Sequence, residues 1–234
     1  MTKTGKLFGV GVGPGDPELL TMKAVRVIKT ADVIFTAASS KNAYSLAVEI
    51  AAPYISTDVP VNILSFPMTK DVRTVENAWV ENARIIADTL KKGLNAAFLT
   101  LGDPMTYSTF GYILKKMNCV MPGAKIETIP GITSFHAASA RLNRILVEGE
   151  ESLLVTSGAF GGDRIRNVDG VENVAIVKAY KNIKDINQAL KDTGLYNKSV
   201  AVAKCGRDRE EIIHDICELE NREPDYWTLI LASK

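Results

Sequence analysis

The chain is poor in the residues that build metal centres and covalent frameworks. Its 234 residues include three cysteines and two histidines. Cys119, Cys205 and Cys217 form no C-x-x-C pair and are odd in number, which argues against a disulfide scaffold and for buried thiols in a reducing cytoplasm. His136 and His214 stand far apart with no thiolate nearby, so no metal site is expected. Charge of one sign is also missing. The net charge of +1 offers no surface for tracking phosphates, and nucleic acid is not an expected partner. No run reaches the ~18 consecutive apolar residues of a membrane span, and no apolar leader precedes a cleavage site. A cytoplasmic protein without a membrane partner is expected.

With 46% hydrophobic and 24% charged residues, the chain has material for a real core, and its length suits one larger domain or two smaller ones. Short apolar runs alternate with segments of period 3.6, the mark of an α/β fold. Residues 7–12 read as a strand, 18–30 as a helix with Leu19, Met22, Val25 and Val27 or Ile28 on one face, and 33–36 as a second strand. Residues 43–52 read as a helix ended by Pro53, 59–64 as a strand, and 71–92 as a long amphipathic helix stopped by Gly93. A buried strand at 96–101 then leads into a helix over about 107–117.

The turn-rich text "NCVMPGAK" near residues 118–123 marks the expected boundary, giving domains 1–120 and 121–234. The second half offers strands near 125–128, 151–156, 174–178, 199–204 and 227–232, with helices separating the first four. Its run "SGAFGGDRIRNVDG" at 157–170 reads as a mobile surface loop, with a lid over a site as the functional alternative.

The densest local signal is "GVGVGPGDPELLT" at 9–21, with four glycines and two prolines within nine residues. A dinucleotide fingerprint G-x-G-x-x-G fails at every start, because the sixth position is Pro14, Asp16 or Glu18. No lysine stands where a P-loop requires one. Phosphate cradles use backbone N–H groups that Pro14 and Pro17 lack, and Asp16 adds negative charge where an anion would sit. A nicotinamide-dependent oxidoreductase is therefore disfavoured. The stretch remains a strand-to-helix turn, either purely structural or open to a ligand that is not an anion at this end.

Two further turns repeat the chemistry. "FLTLGDPMTYST" at 98–109 sets a glycine, a carboxylate and a proline after an apolar strand, and "TIPGITSFHAASA" at 128–140 sets another Pro-Gly before Thr133 and Ser134. Asp103 can bind a ligand, act at a reaction centre or cap the next helix.

Taken together, these three segments resemble the tetrapyrrole methylases, S-adenosylmethionine-dependent enzymes unlike the Rossmann-type methyltransferases. The likeness rests on "GKLFGVGVGPGDPELLTMKAVRVIKTADVIF", "SLAVEIAAPY", "FPMTKD", "TLGDPMTYSTFGYIL" and "IPGITSFHAASAR", and spans essentially the whole chain. "FPMTKD" and "DPMTYST" are most similar to enzymes that methylate C-20 of precorrin-2 or cobalt-factor II in cobalamin biosynthesis. Methylation at another tetrapyrrole position, a diphthine synthase-like activity, and a non-catalytic tetrapyrrole carrier are the alternatives.

The resemblance implies two αβα domains, a homodimer, and a cofactor held in the interdomain cleft. It implies cofactor contacts from Pro14, Leu101, Gly102, Asp103 and Thr106, from Thr133 and Ser134 at the domain junction, and more loosely from Val177, Lys178, Tyr180, Thr228 and Leu229. Methyl transfer from a sulfonium needs alignment and exclusion of water rather than a nucleophilic side chain. Asp103, Tyr107 and His136 are the candidates for moving a proton, Asp103 and Tyr107 foremost. A polycarboxylate substrate calls for cations. Lys178, Arg207, Arg164 and Arg166 lead a pool that also holds Lys41, Arg141 and Arg144. Cobalt, where present, belongs to the substrate, and S-adenosylhomocysteine is the product of the cofactor.

Overall fold

The computed structural model describes residues 4–39, 45–167 and 169–234. The chain divides into two compact units, Met1–Thr133 and Ser134–Lys234. The first contains β1 (Lys6–Gly11), α1 (Met22–Thr30), β2 (Val33–Ser39), α2 (Leu46–Ala51), β3 (Val61–Phe66), α3 (Val72–Lys91), β4 (Ala96–Thr100), α4 (Phe110–Val120) and β5 (Lys125–Ile129). Its five strands are all parallel, in the order β3-β2-β4-β1-β5. Every residue of β4 is buried, as a central parallel strand covered on both faces requires. Successive side chains serve opposite cores. Phe98 joins Leu7, Phe35 and Phe110 with α3 and α4, whereas Leu99 joins Val10, Ile34 and Ile50 with α1 and α2.

The second unit contains α5 (Ser134–Arg141), β6 (Leu153–Ser157), α6 (Asp163–Arg166), β7 (Asn173–Val177), α7 (Ile183–Asp192), β8 (Lys198–Ala203), β9 (Glu211–Ile213) and β10 (Thr228–Ser233). Its sheet runs β6-β7-β10-β8-β9. Only β6 and β7 pair in parallel; β10 lies antiparallel to both of its neighbours. Ile176, Ile186, Leu190 and Ile230 form the centre of its core.

Four expectations are corrected. The boundary lies at 133/134 rather than 120/121, because β5 pairs in register with β1, Leu7 opposite Ile126. "NCVMPGAK" is thus a turn inside the first unit. The helix expected over 18–30 is broken. Pro17–Leu19 forms a 3-10 turn capped by Asp16, and α1 starts afresh after Thr21, whose hydroxyl accepts from the Ala24 N–H at 3.2 Å. Met22, expected on the apolar face, is 92% exposed. The part of the glycine-rich run at 157–167 is docked rather than open. Ile165 of α6 is buried, and the Gly162 N–H donates to Asp185 on α7 at 2.7 Å. Lys41 and the start of the helix expected over 43–52 lie outside the described residues.

Candidate functional site

In the parallel sheet of the first unit, β4, β1 and β5 are neighbours, so the three Gly-Pro-bearing turns after them emerge side by side at one edge. Ligands of open α/β sheets bind at this carboxyl edge. Gly13 and Gly102 form an isolated antiparallel bridge, the Gly102 N–H donating to the Gly13 carbonyl at 2.7 Å and the Gly13 N–H to the Gly102 carbonyl at 3.3 Å. The Gly131 N–H donates to Asp103 Oδ2 at 3.1 Å and ties the third turn to the second.

The glycines of the first stretch have different jobs. A Cβ on Gly9 would sit 2.2 Å from the Phe110 ring, so this glycine makes room for the core. A Cβ on Gly11 would fall 2.7 Å from the Gly131 nitrogen, and one on Gly131 would fall 2.2 Å from the Gly102 carbonyl oxygen. Those two let backbones pack on each other. Gly102 differs: its φ is +67°, and a Cβ there would meet nothing closer than 4.0 Å. Its Cα therefore faces space a ligand can enter.

Both Gly-Asp-Pro motifs use their carboxylate alike. Asp16 Oδ1 accepts from the Glu18 N–H, and Asp103 Oδ1 from the Met105 N–H, each at 2.8 Å. Asp103 also accepts from the Thr106 hydroxyl at 3.3 Å. Its two oxygens thus receive three donors and hold two turns together. Asp103 caps its own turn and not α4. The first N–H of α4, from Phe110, goes instead to Ser108 Oγ, which also pairs with Thr100 Oγ1 at 2.8 Å. The start of α4 is delayed because Tyr107 adopts φ +50°, a left-handed state that costs a non-glycine residue about 1–2 kcal/mol. Tyr107 is 53% exposed at this edge. Pro14 is buried, while Leu101, Gly102, Asp103, Thr106 and Thr133 are half-buried.

In the second unit, Val177 ends β7, and Lys178 turns left-handed at φ +57°. Thr228 and Leu229 open β10 with buried side chains. The Thr228 carbonyl accepts from the Ala179 N–H at 2.9 Å. A cavity of about 390 Å³ opens beside them, lined by Tyr180, Tyr226, Trp227, Thr228 and Lys204 among others. Of the residues expected to bind a cofactor, Tyr180 and Thr228 line it; Val177, Lys178 and Leu229 do not. Tyr226 and Trp227 escaped sequence reasoning, since "PDYW" lies in a turn with no periodicity to mark it.

The candidate cations separate clearly. Arg166 is committed to Asp163, Asp185 and Asp192, and donates to the Asp185 carbonyl as well. Arg141 pairs with Glu210 at 2.6 Å, and Arg144 donates to the Leu231 and Lys198 carbonyls and the Ser233 hydroxyl. These three hold the fold. Arg164 is exposed on α6. Arg207 lies over the Trp227 ring, 5.4 Å from its centroid, and its Nη1 is buried without a hydrogen-bond partner. His136 is exposed on α5 beside Phe135, with ring centroids 4.7 Å apart. Cys205 is buried, and burial first, then the Glu210 carboxylate, push its thiol up to about 11. It is a packing residue and not a nucleophile. Among the described residues, no group of three or more His, Cys, Asp or Glu gathers as a metal site, and no helix is long and apolar enough to cross a membrane.

Comparison with known proteins identifies the family. A probable cobalt-precorrin-2 C(20)-methyltransferase of Methanocaldococcus jannaschii is 34% identical over 98% of this chain and 96% of its own length. A cobalt-precorrin-2 C(20)-methyltransferase of Salmonella typhimurium is 29% identical over 98% and 97%. Among solved structures, a uroporphyrin-III C-methyltransferase from Thermus thermophilus, complexed with S-adenosylhomocysteine, shares the fold, with a TM-score of 0.70 at 21% identity over 98% of each chain. The family model for tetrapyrrole (corrin/porphyrin) methylases matches residues 6–220. The chain belongs to the tetrapyrrole methylase family.

Proposed function

We propose that this chain is an S-adenosylmethionine-dependent C-methyltransferase acting on C-20 of precorrin-2 or its cobalt complex in cobalamin biosynthesis. Its full-length likeness to C(20)-methyltransferases supports the ring position. The observation that carries the reading is the open, left-handed Gly102 at the edge where three turns are bound to one another. Such an edge lets a bulky ligand reach the backbone while the backbone stays fixed, so orientation is secured before reaction.

In this reading the first unit offers the cofactor Pro14, Leu101, Gly102, Asp103, Thr106 and Thr133. The second offers Ser134, Val177, Lys178, Tyr180, Thr228 and Leu229. When bound, S-adenosylmethionine supplies a methyl group on a sulfonium sulfur and leaves as S-adenosylhomocysteine. Asp103 contributes geometry, because its oxygens already hold Gly131, Met105 and Thr106. Tyr107, exposed at the same edge, is the second candidate for moving a proton. Arg166 is not carried to the substrate, since its donors are spent on α7 and α6. Any cobalt is part of the substrate. A homodimer in the cytoplasm belongs to the same reading, supported by the family likeness and by three free cysteines; light scattering tests the dimer.

The deciding experiment incubates the protein with S-adenosylmethionine and precorrin-2, with and without cobalt, and locates the new methyl carbon by NMR. A C-20 product is expected. A methyl group at another carbon would redirect the assignment, and no transfer in either case would overturn it.

A further inference from the structure

Two cations at the rim of the second unit stand at opposite ends of a row of rings. Lys178 Nζ lies 5.8 Å from the Tyr226 centroid, Tyr226 meets Trp227 edge-on at 5.0 Å, and the Arg207 guanidinium covers the other ring at 5.4 Å. These distances are within cation–π and aromatic contact range. The row is assembled from three segments: Lys178 follows β7, Arg207 follows β8, and Tyr226 and Trp227 lead into β10. Because β10 runs between β7 and β8, its lead-in residues fall between the two cations.

The rings are pinned and not merely adjacent. The Trp227 carbonyl accepts from the Lys204 N–H at 3.1 Å, and the Trp227 N–H donates to Asp225 Oδ1 at 2.9 Å. Tyr180 closes on Tyr226 at 5.2 Å. Two of the nearby carboxylates, Glu210 and Asp225, are committed elsewhere. Glu210 serves Arg141 and the Gly206 N–H, and Asp225 serves Lys204. Arg207 is left with its guanidinium over the indole and one nitrogen buried with no acceptor. An unpaired charged donor is costly, and a guanidinium held over a ring offers its remaining donors to a carboxylate.

We propose that this row is a two-point anchor for carboxylate side chains of the tetrapyrrole, with Arg207 and Lys178 receiving the carboxylates and Trp227 fixing the plane of Arg207. The proposal rests on the substrate class proposed above. It makes Trp227 a positioning residue and Arg207 a determinant of acceptor binding, with no part in holding the methyl donor.

The test titrates the full chain with cobalt-factor II by visible absorbance and, separately, with S-adenosylhomocysteine by calorimetry. Arg207→Gln is expected to weaken tetrapyrrole binding about tenfold to a hundredfold, the range for a lost charged hydrogen bond, and to leave S-adenosylhomocysteine binding within about twofold. Trp227→Phe retains a ring and should lose less than about threefold. Trp227→Leu should lose as much as Arg207→Gln, and the Trp227→Leu, Arg207→Gln double variant no more than either alone, because the two act as one unit. Unchanged tetrapyrrole affinity in Arg207→Gln overturns the proposal. So does a loss in Trp227→Leu that falls on S-adenosylhomocysteine instead. If the unaltered protein binds S-adenosylhomocysteine but no tetrapyrrole, the functional reading itself fails and the anchor with it.

Discussion

The two units build their rims by opposite means. In the first, the edge of the sheet is backbone: Gly11, Gly13, Gly102 and Gly131 approach one another, and Asp103 ties the turns through N–H groups. In the second, Lys178, Lys204 and Arg209 take left-handed positions alongside Gly206, and side chains from three segments make the surface. A backbone rim is rigid and indifferent to side-chain identity, which suits a cofactor of fixed shape. A side-chain rim can be retuned one residue at a time, which suits recognition of one acceptor among related ones.

The sharpest break in this contrast is Gly131→Ala. Its new Cβ would collide with the Gly102 carbonyl, so a destabilisation of about 3 kcal/mol, the upper end of overpacking effects, is expected in denaturant titration; a loss below about 1 kcal/mol would mean that the turns are not packed as described. Gly102→Ala separates packing from ligand access. It meets no neighbour, costs about 1–2 kcal/mol for its left-handed backbone, and should weaken S-adenosylhomocysteine binding at least about tenfold, or 1.4 kcal/mol. Retention of full affinity would remove Gly102 from the site.

Smaller effects test the second unit's docked segment and the first unit's sheet edge. Arg166→Ala should release α6 from α7 and speed amide exchange over residues 161–167 by about tenfold; unchanged protection would show that Ile165 alone holds it. At the edge of the first sheet, Glu127 lies between Lys23 and Lys6, which hold its carboxyl down to about 2 against an ordinary 4.5. A depressed carboxyl stabilises the fold above its unfolded value and loses that contribution as the pH falls through its folded one. The melting temperatures of the unaltered chain and Glu127→Gln should therefore differ by a constant, small amount above pH 4.5 and converge towards pH 2. A gap that persists at pH 2 would point to packing instead. Gly111→Ala, on α4 with nothing within 4 Å, serves as the counterexample among the glycines, with a gain of about 0.5–1 kcal/mol expected.

Much of this was legible beforehand. Strands 7–12, 96–101 and 174–178 and the helix at 71–92 fall within a few residues of β1, β4, β7 and α3, because continuous apolar runs and a 3.6 period are local signals. Asp71 stands as the N-cap of α3, accepting from the Arg73 N–H at 3.1 Å. The three turns were also recognisable, as glycine and proline announce backbone geometry wherever they stand. β9 was missed, being three residues long with a charged start. The uses of the arginines could not be read either. Arg164, Arg166 and Arg207 look alike in sequence, yet one is exposed, one is saturated by three aspartates and one lies on an indole with a buried nitrogen unpaired.

The sequence by itself determined the alternation of strands and helices, the turns that end β1, β4 and β5, and the family to which those turns belong. Each of these comes from residues close together along the chain, where φ preference and periodicity act directly. Only the tertiary structure decided where one unit gives way to the next, which glycines pack and which one is open, and which cations remain to meet a substrate. Those outcomes depend on strand order. Hydrogen bonding in the sheets places residues 10 and 129, or 178 and 227, near each other although more than forty residues separate them, and no local propensity carries that information.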